Sequence, residues 1–273
     1  EPILRGSRAV LSTEQPLVMF ELKHGSEVNH ALIERFRELG FGCYVFVPAL
    51  DALVPLELEA IDGFQLNLFA ATDERAARLA ARGRLFDGRV PEHLAPDLEG
   101  AGRWLRERAY GRSFGVQATP LIAWQLMAED RRRPVGERRA SQLAALRLSL
   151  GEPSSEVGVC ELLTRARVLR GAGLRTRALS LLARARDLLA ARSAKLAPML
   201  PVLPRFDALE PALASEWLEA QALEASVRFQ AYSSCFGGDE PLAWLLRLQE
   251  LGHHADEMSR RLSLILERKR RLD

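Results

Sequence analysis

Lysine, cysteine and long apolar segments are all scarce in this sequence. Cysteine occurs only at Cys43, Cys160 and Cys235, which lie far apart and form no C-x-x-C pair. This spacing indicates neither a disulfide framework nor a thiolate metal site, and it fits a reducing cytoplasm. No apolar run approaches the roughly 20 residues of a membrane-spanning helix, and the N-terminus lacks the pattern of a signal peptide. We therefore expect a cytoplasmic protein without a membrane partner and without a bound metal.

The charge distribution does not indicate a nucleic-acid partner, and three common catalytic motifs are absent. Only three of the 38 basic residues are lysine, and the formal net charge is +2. Nucleic-acid binding normally shows as a concentrated basic face, which we do not find. The arginine tracts at 131–133 and 268–271 are interpreted as solvated helix ends or loops. Motifs of the G-x-S-x-G, P-loop and H-E-x-x-H types are absent, so hydrolases, nucleotide triphosphatases and zinc proteases lack local support.

Strand and helix signals alternate over the first third of the chain. The apolar run Leu17–Phe20 is typical of a parallel strand buried inside a sheet. Ser26 is a candidate cap for a following helix, which should end at Gly40 in a left-handed conformation. The segment Cys43–Val47 is rich in aromatic and β-branched residues and is stopped by Pro48, which predicts a second strand.

A third strand and a third stretch of helix complete this α/β pattern. The alternation in Gln65–Phe69 predicts a strand. Thr72 should cap a helix that ends at Arg82 and Gly83. A helical pattern is already present near the N-terminus, at Ile3, Leu4, Val10 and Leu11. We therefore expect the chain to begin in the middle of a domain.

The predicted organisation is an α/β part followed by an all-α part. We place the α/β part at residues 1–90, a linker without sustained periodicity at 91–120, and a helical domain at 121–273. Within the helical domain, two helices at about 157–170 and 174–192 flank a glycine turn and resemble a tetratricopeptide pair only loosely.

Four segments carry a resemblance to a known family, and they occur in the order Ile3-Leu4-Arg5-Gly6, Pro16-Leu17-Val18-Met19-Phe20-Glu21, Leu39-Gly40-Phe41 and Leu66-Asn67-Leu68-Phe69. Their order and spacing resemble the distal half of the FkbM-type S-adenosylmethionine-dependent methyltransferases, over roughly residues 1–87. Members of that family have a strand that closes on glutamate and a final antiparallel hairpin. The helical half is similar to extensions of bacterial members.

This resemblance implies a fold, a cofactor and a reaction. The fold would be the distal half of a class I methyltransferase sheet, which is Rossmann-like. The implied cofactor is S-adenosylmethionine, but the glycine-rich turn and the acidic residue that grip it lie upstream of Glu1 in this pattern. The resemblance thus implies no cofactor-binding residue in this chain, and it implies that the chain alone is inactive.

The candidate site residues follow the first predicted strand. Ligands of open α/β sheets gather beyond the carboxyl ends of the strands, and Glu21, Lys23 and His24 occupy that position. The resemblance implies that these three residues border a substrate pocket. Glu21 would either accept a hydrogen bond from an acceptor hydroxyl or organise the loop. His24 is the candidate catalytic base because of its intrinsic pKa, the alternative being a solvated loop histidine.

Two functions remain open at this point. The first is part of a methyltransferase that O-methylates a hydroxyl of a small molecule or a sugar. The second is a helical protein-interaction module, with the α/β part as its scaffold and another protein bound through the helical half. The sequence does not fix the oligomeric state or the substrate.

Overall fold

The computed structural model describes residues 4, 6–24, 27–58, 67–115, 117–150, 157–191, 195–209, 213–230, 239–253 and 255–272. The chain divides into two compact units. The α/β unit comprises residues 1–95, 126–144 and 171–173, and the helical unit comprises residues 96–125, 145–170 and 174–273. This division extends the first unit beyond the predicted boundary at residue 90 and adds to it two segments from the second half of the chain.

The α/β unit contains both helices and strands in its first 81 residues. They are α1 (Arg8–Glu14), β1 (Val18–Glu21), β2 (Lys23–His24), β3 (Glu27–Val28), α2 (His30–Glu38), β4 (Phe41–Val47), β5 (Ala52–Pro55), β6 (Asn67–Thr72) and α3 (Asp73–Ala81). The strands β2 and β3 form a separate two-stranded ribbon. The predicted strand over 65–69 corresponds to β6, although residues 65 and 66 lie outside the described part of the chain.

The main sheet has the strand order β1-β6-β4-β5, and every neighbouring pair is antiparallel. Because β1 and β4 both run antiparallel to β6, they run parallel to each other. The prediction that Leu17–Phe20 forms a parallel interior strand is wrong for the described residues. The strand exists, but it pairs antiparallel with β6 and lies at an edge of the sheet. Met19, in this edge strand, is 63% exposed.

Helices cover both faces of this sheet. On one face the ring of Phe20 stacks on Phe36 of α2 at 4.5 Å between centroids, and Phe41 contacts Phe36 edge-on at 6.0 Å. Leu11 of α1 joins the same cluster. On the other face α3 packs on β6, and Ala76 lies in a cluster with residues of the sheet. The alternation of β-strand side chains thus supplies two apolar faces, each closed by a helix.

Short-range signals at the helix ends are largely confirmed. Thr72 accepts a hydrogen bond from the backbone N–H of Arg75 at 3.4 Å, as a cap should. Gly40 and Gly83 end helices with φ values of 80° and 65°. The predicted cap Ser26 lies outside the described residues, and α2 begins at His30 with Asn29 as its N-cap. The side chain of Asn29 accepts the N–H of Leu32, the third residue of α2 and one of the N–H groups that lack a partner within the helix.

Removing this cap should weaken the α/β unit by a small, measurable amount. The Oδ1 atom of Asn29 accepts the N–H of Leu32 at 3.1 Å. Asn29→Ala leaves that N–H without its acceptor, so we expect a loss of about 1 kcal/mol in the free energy of unfolding, measured in urea. Asn29→Asp keeps the acceptor and should retain most of the stability. Equal losses in both variants would contradict the capping role.

The described elements of the chain after residue 95 are all helical, which confirms the predicted helical second half. They are α4 (Leu98–Arg106), a 3₁₀ turn (Tyr110–Ser113), α5 (Pro120–Glu129), α6 (Val135–Leu150), α7 (Val159–Gly171), α8 (Arg175–Ala190), a second 3₁₀ turn (Pro204–Ala208), α9 (Ala214–Phe229), α10 (Asp239–Glu250) and α11 (Asp256–Leu272). The predicted linker over 91–120 contains α4. Its buried stripe is Ala101, Gly102 and Leu105, so small residues conceal the periodicity.

Helix α9 lies at the centre of the helical unit. It packs against α8 on one side and α10 on another, and α10 packs against α11. All residues from Ala220 to Val227 are buried. The predicted glycine turn between α7 and α8 contains Gly173 at φ 91°, and Gly252 follows α10 at φ 68°. Arg175–Ala190 therefore confirms the second helix of the predicted pair, although its main described partner is α9.

A buried, non-helical segment at residues 200–202 is bonded to both α7 and α9. Thr164 and Arg167 on α7 and Gln221 on α9 bond to the backbone of residues 200–202 at 2.8 to 3.2 Å. These bonds replace the water that an exposed loop would use, since buried backbone groups must find partners. The three polar side chains therefore have a structural explanation.

Candidate functional site

The predicted site residues lie where β1 leaves the main sheet. Glu21 is the last residue of β1 and is exposed. Lys23 and His24 form β2, paired with β3 in the register Lys23↔Val28 and His24↔Glu27. The backbone thus gathers the three predicted residues at the base of one ribbon. The side chains of residues 23–28 lie outside the described part of the structure, so the roles predicted for Lys23 and His24 stay predictions.

The base of this ribbon is fixed to the core of the α/β unit. Leu22, between Glu21 and the ribbon, is completely buried. Its carbonyl accepts the backbone N–H of Asn29 at 2.8 Å, so the two ends of the ribbon are joined. Asn29 therefore closes the ribbon with its backbone and caps α2 with its side chain. The position of the predicted substrate-binding segment relative to β1 is set by these contacts.

The register between β1 and β6 places Asn67 beside Glu21 in the candidate site. Asn67 is the first residue of β6, and it lies directly opposite Glu21. Directly opposed residues in an antiparallel pair have side chains on the same face, with Cβ atoms about 5 Å apart. Both residues are exposed. A carboxylate and an amide side by side offer hydrogen-bond acceptors and a donor to one hydroxyl-bearing ligand. No local sequence signal indicates this pair, because β1 and β6 meet only in the folded sheet.

The helical unit contains a buried ionic network. Glu224 on α9 is fully buried, and its carboxylate accepts hydrogen bonds at 2.8 Å from the Nε atoms of both Arg205 and Arg228. Arg228 also donates to Glu257 on α11 at 2.5 Å, and Arg205 donates to the carbonyl of His253. The charges are matched and the groups are bonded to one another. This arrangement ties α9, α11 and the second 3₁₀ turn together, and we interpret it as structural.

The same unit has a pocket of about 590 Å³ formed by α8, α9 and α10. Its charged lining residues are Arg186, Glu216, Glu219 and Arg247, and its apolar ones include Leu189 and Leu223. Sequence reasoning missed this pocket, since its walls come from three helices and arginine and glutamate are common throughout the chain. The sequence contains no local signal that would have found it.

In the described part of the chain, no three or more His, Cys, Asp or Glu side chains are grouped to hold a metal. None of the described helices combines the length and apolarity needed to cross a bilayer. Comparison with protein-family models, with curated proteins and with solved structures found no match to this chain.

Proposed function

We propose that the α/β unit is the distal half of the catalytic domain of an FkbM-type S-adenosylmethionine-dependent methyltransferase that acts on a hydroxyl of a small molecule or sugar. The strand order carries this proposal. Strand β6 lies antiparallel between β1 and β4, which are parallel to each other. The family resemblance implies two features that fit this order: a strand that closes on glutamate, here β1 with Glu21, and a final antiparallel hairpin, here β4 with β6.

The free edge of β1 supports the same proposal. On the side of β1 away from β6, no other strand pairs with it within the described residues. The apolar side chains of Leu17 and Met19 are 40% and 63% exposed. Exposed apolar edges favour uncontrolled pairing, and proteins usually cover them. We propose that an upstream strand of the catalytic domain pairs with this edge.

The cofactor has no fitting site among the described residues. Adenosyl cofactors of such folds bind at a glycine-rich turn between a strand and a helix. Gly40 instead ends a helix, and Gly173 joins two helices. In the proposal the cofactor is held by the upstream half, and this chain contributes the acceptor side. We therefore assign no residue of this chain to cofactor binding.

The residues at the end of β1 would orient the acceptor. Methyl transfer is an in-line displacement, so the acceptor oxygen must be positioned and must lose a proton. Glu21 and Asn67 lie opposite each other and can bond to a hydroxyl from adjacent strands. His24 is the last residue of β2 and is the candidate base, since an imidazole titrates near neutral pH. Lys23 would complete the substrate contacts.

The first experiment is calorimetry of S-adenosylmethionine binding. It compares this chain with a form extended upstream of Glu1 by about one domain's length. We expect binding by the extended form only. Binding by this chain alone would contradict the absence of a cofactor site. Binding by neither form would overturn the methyltransferase proposal and leave the α/β unit as the scaffold of a helical interaction module.

A further inference from the structure

The pocket of the helical unit contains a cation that is only partly balanced. The side chain of Arg186 is 21% exposed and lies over the ring of Trp244, 4.3 Å from its centroid. It donates a hydrogen bond to the hydroxyl of Ser226 at 2.5 Å. The ion-pair partner of Arg186, Glu240, is 3.7 Å away and 68% exposed, so water screens it, and Asp187 adds a further electrostatic attraction. Burial lowers the pKa of Arg186, since the charged form has lost water.

The second arginine of the pocket, unlike Arg186, has carboxylate partners at hydrogen-bond distance. Arg247 donates to both carboxylate oxygens of Glu219, at 2.8 and 3.0 Å, and to Glu250 at 3.1 Å. Its charge and that of Glu219 are therefore balanced. Glu216, on the same side of α9 as Glu219, forms no ion pair with another described residue. The pocket thus presents one cation whose carboxylate neighbours are not among the lining residues, and one carboxylate without an ion pair, with Leu189 and Leu223 nearby.

This pattern selects a ligand by charge and by hydrogen bonding. A guanidinium held rigidly in place matches a planar carboxylate with two parallel hydrogen bonds. A carboxylate alone would also be repelled by Glu216, so the ligand needs donor groups at its other end. A cavity of about 590 Å³ is in the range that holds small molecules. We infer that this pocket binds a small carboxylic acid that also bears hydroxyl or amino groups, with the acid on Arg186 and a donor on Glu216.

The inference does not depend on the methyl-transfer proposal, and calorimetry on the full chain tests it. The probes are D-glucuronate, which supplies hydroxyl donors, and L-glutamate, which supplies an amino donor. D-glucose serves as the matched neutral sugar. We expect at least one of the two acids to bind, and glucose to bind roughly tenfold more weakly or not at all. Absence of binding by both acids, or equal binding of glucose and glucuronate, would overturn the inference.

Two variants of α8 test whether a loss of binding comes from the pocket or from a general change in the helix. Arg186→Gln removes the charge and should weaken binding of the acid roughly tenfold or more. Arg177→Gln is the matched control, because Arg177 is an exposed residue of the same helix that does not line the pocket. This control should bind as the unmodified chain does. An unchanged affinity in Arg186→Gln would contradict the assignment of the carboxylate to Arg186.

A second variant keeps the test decisive if Arg186→Gln folds poorly. Glu216→Gln replaces a partly exposed carboxylate that makes no described ion pair, so the fold should be retained. The unmodified chain should prefer the donor-bearing acid over acetate, which has no donor. We expect this preference to shrink roughly tenfold in Glu216→Gln, because the acceptor for the donor group is weaker and acetate is no longer repelled. An unchanged preference would refute the role of Glu216.

Discussion

Gly111→Ala is expected to destabilise the helical unit by about 3 kcal/mol, near the upper end for overpacked cores. Gly111 is buried in the first 3₁₀ turn. A Cβ atom at this position would lie 1.8 Å from the carbonyl oxygen of Leu105 and 2.6 Å from its carbonyl carbon. Both atoms belong to the main chain at the end of α4, so no side-chain rotation removes the clash. The turn or the helix end would have to move.

The cost is increased by the residue before Gly111. Tyr110 is fully buried, and its ring lies 5.0 Å from that of Trp217 and 5.7 Å from that of Phe114, measured between centroids. A displaced turn would move Tyr110 out of this aromatic cluster. The loss of dispersion contacts then adds to the steric cost.

Chemical unfolding followed by tryptophan fluorescence and circular dichroism measures this effect. The matched control is Gly115→Ala, where an added Cβ would meet no heavy atom within 4 Å. We expect this control to change the free energy of unfolding by less than about 0.5 kcal/mol. Equal unfolding midpoints for the two variants would contradict the close approach of Gly111 and Leu105.

Features set within one turn of the chain were predictable from sequence. The cap Thr72 and the left-handed Gly40 depend only on neighbouring residues, and both were found. The short strand β5 was missed. It follows a turn in which Asp51 takes a positive φ of 49°, and its four residues look like an interrupted loop. Only pairing with β4 makes it a strand, and that pairing is not a local property.

The candidate sites depend even more on contacts between distant residues, which local sequence does not predict. The position of Glu21 at the end of β1 could be predicted, because a short apolar run ended there. Its pairing with Asn67 could not, because register between distant strands depends on the whole sheet. The burial of Arg186 was equally hidden, since most of the 38 basic residues are arginines with similar neighbours. Sequence therefore located the segment of the first site but none of the second.

The buried ionic network makes the second strong prediction. Glu224 is fully buried, whereas its partners Arg205 and Arg228 are 28% and 27% exposed. Removing one partner of such a group costs more than the pair contributes, because the remaining charges stay partly desolvated and lose most of their compensation. In this network two guanidinium groups would remain side by side. They would repel each other, and Glu224→Gln would replace one acceptor oxygen with an N–H donor that faces a guanidinium group.

Glu224→Gln should therefore lower the free energy of unfolding by about 3 kcal/mol or more, although it nearly preserves the side-chain volume. Glu267→Gln is the matched control, since Glu267 is 54% exposed and pairs with Arg271 along α11. Exposed pairs of this kind contribute less than about 1 kcal/mol. Urea unfolding of the two variants gives the comparison. If Glu224→Gln unfolded at the same urea concentration as Glu267→Gln, the network would contribute no more than an exposed ion pair, and its structural role would be refuted.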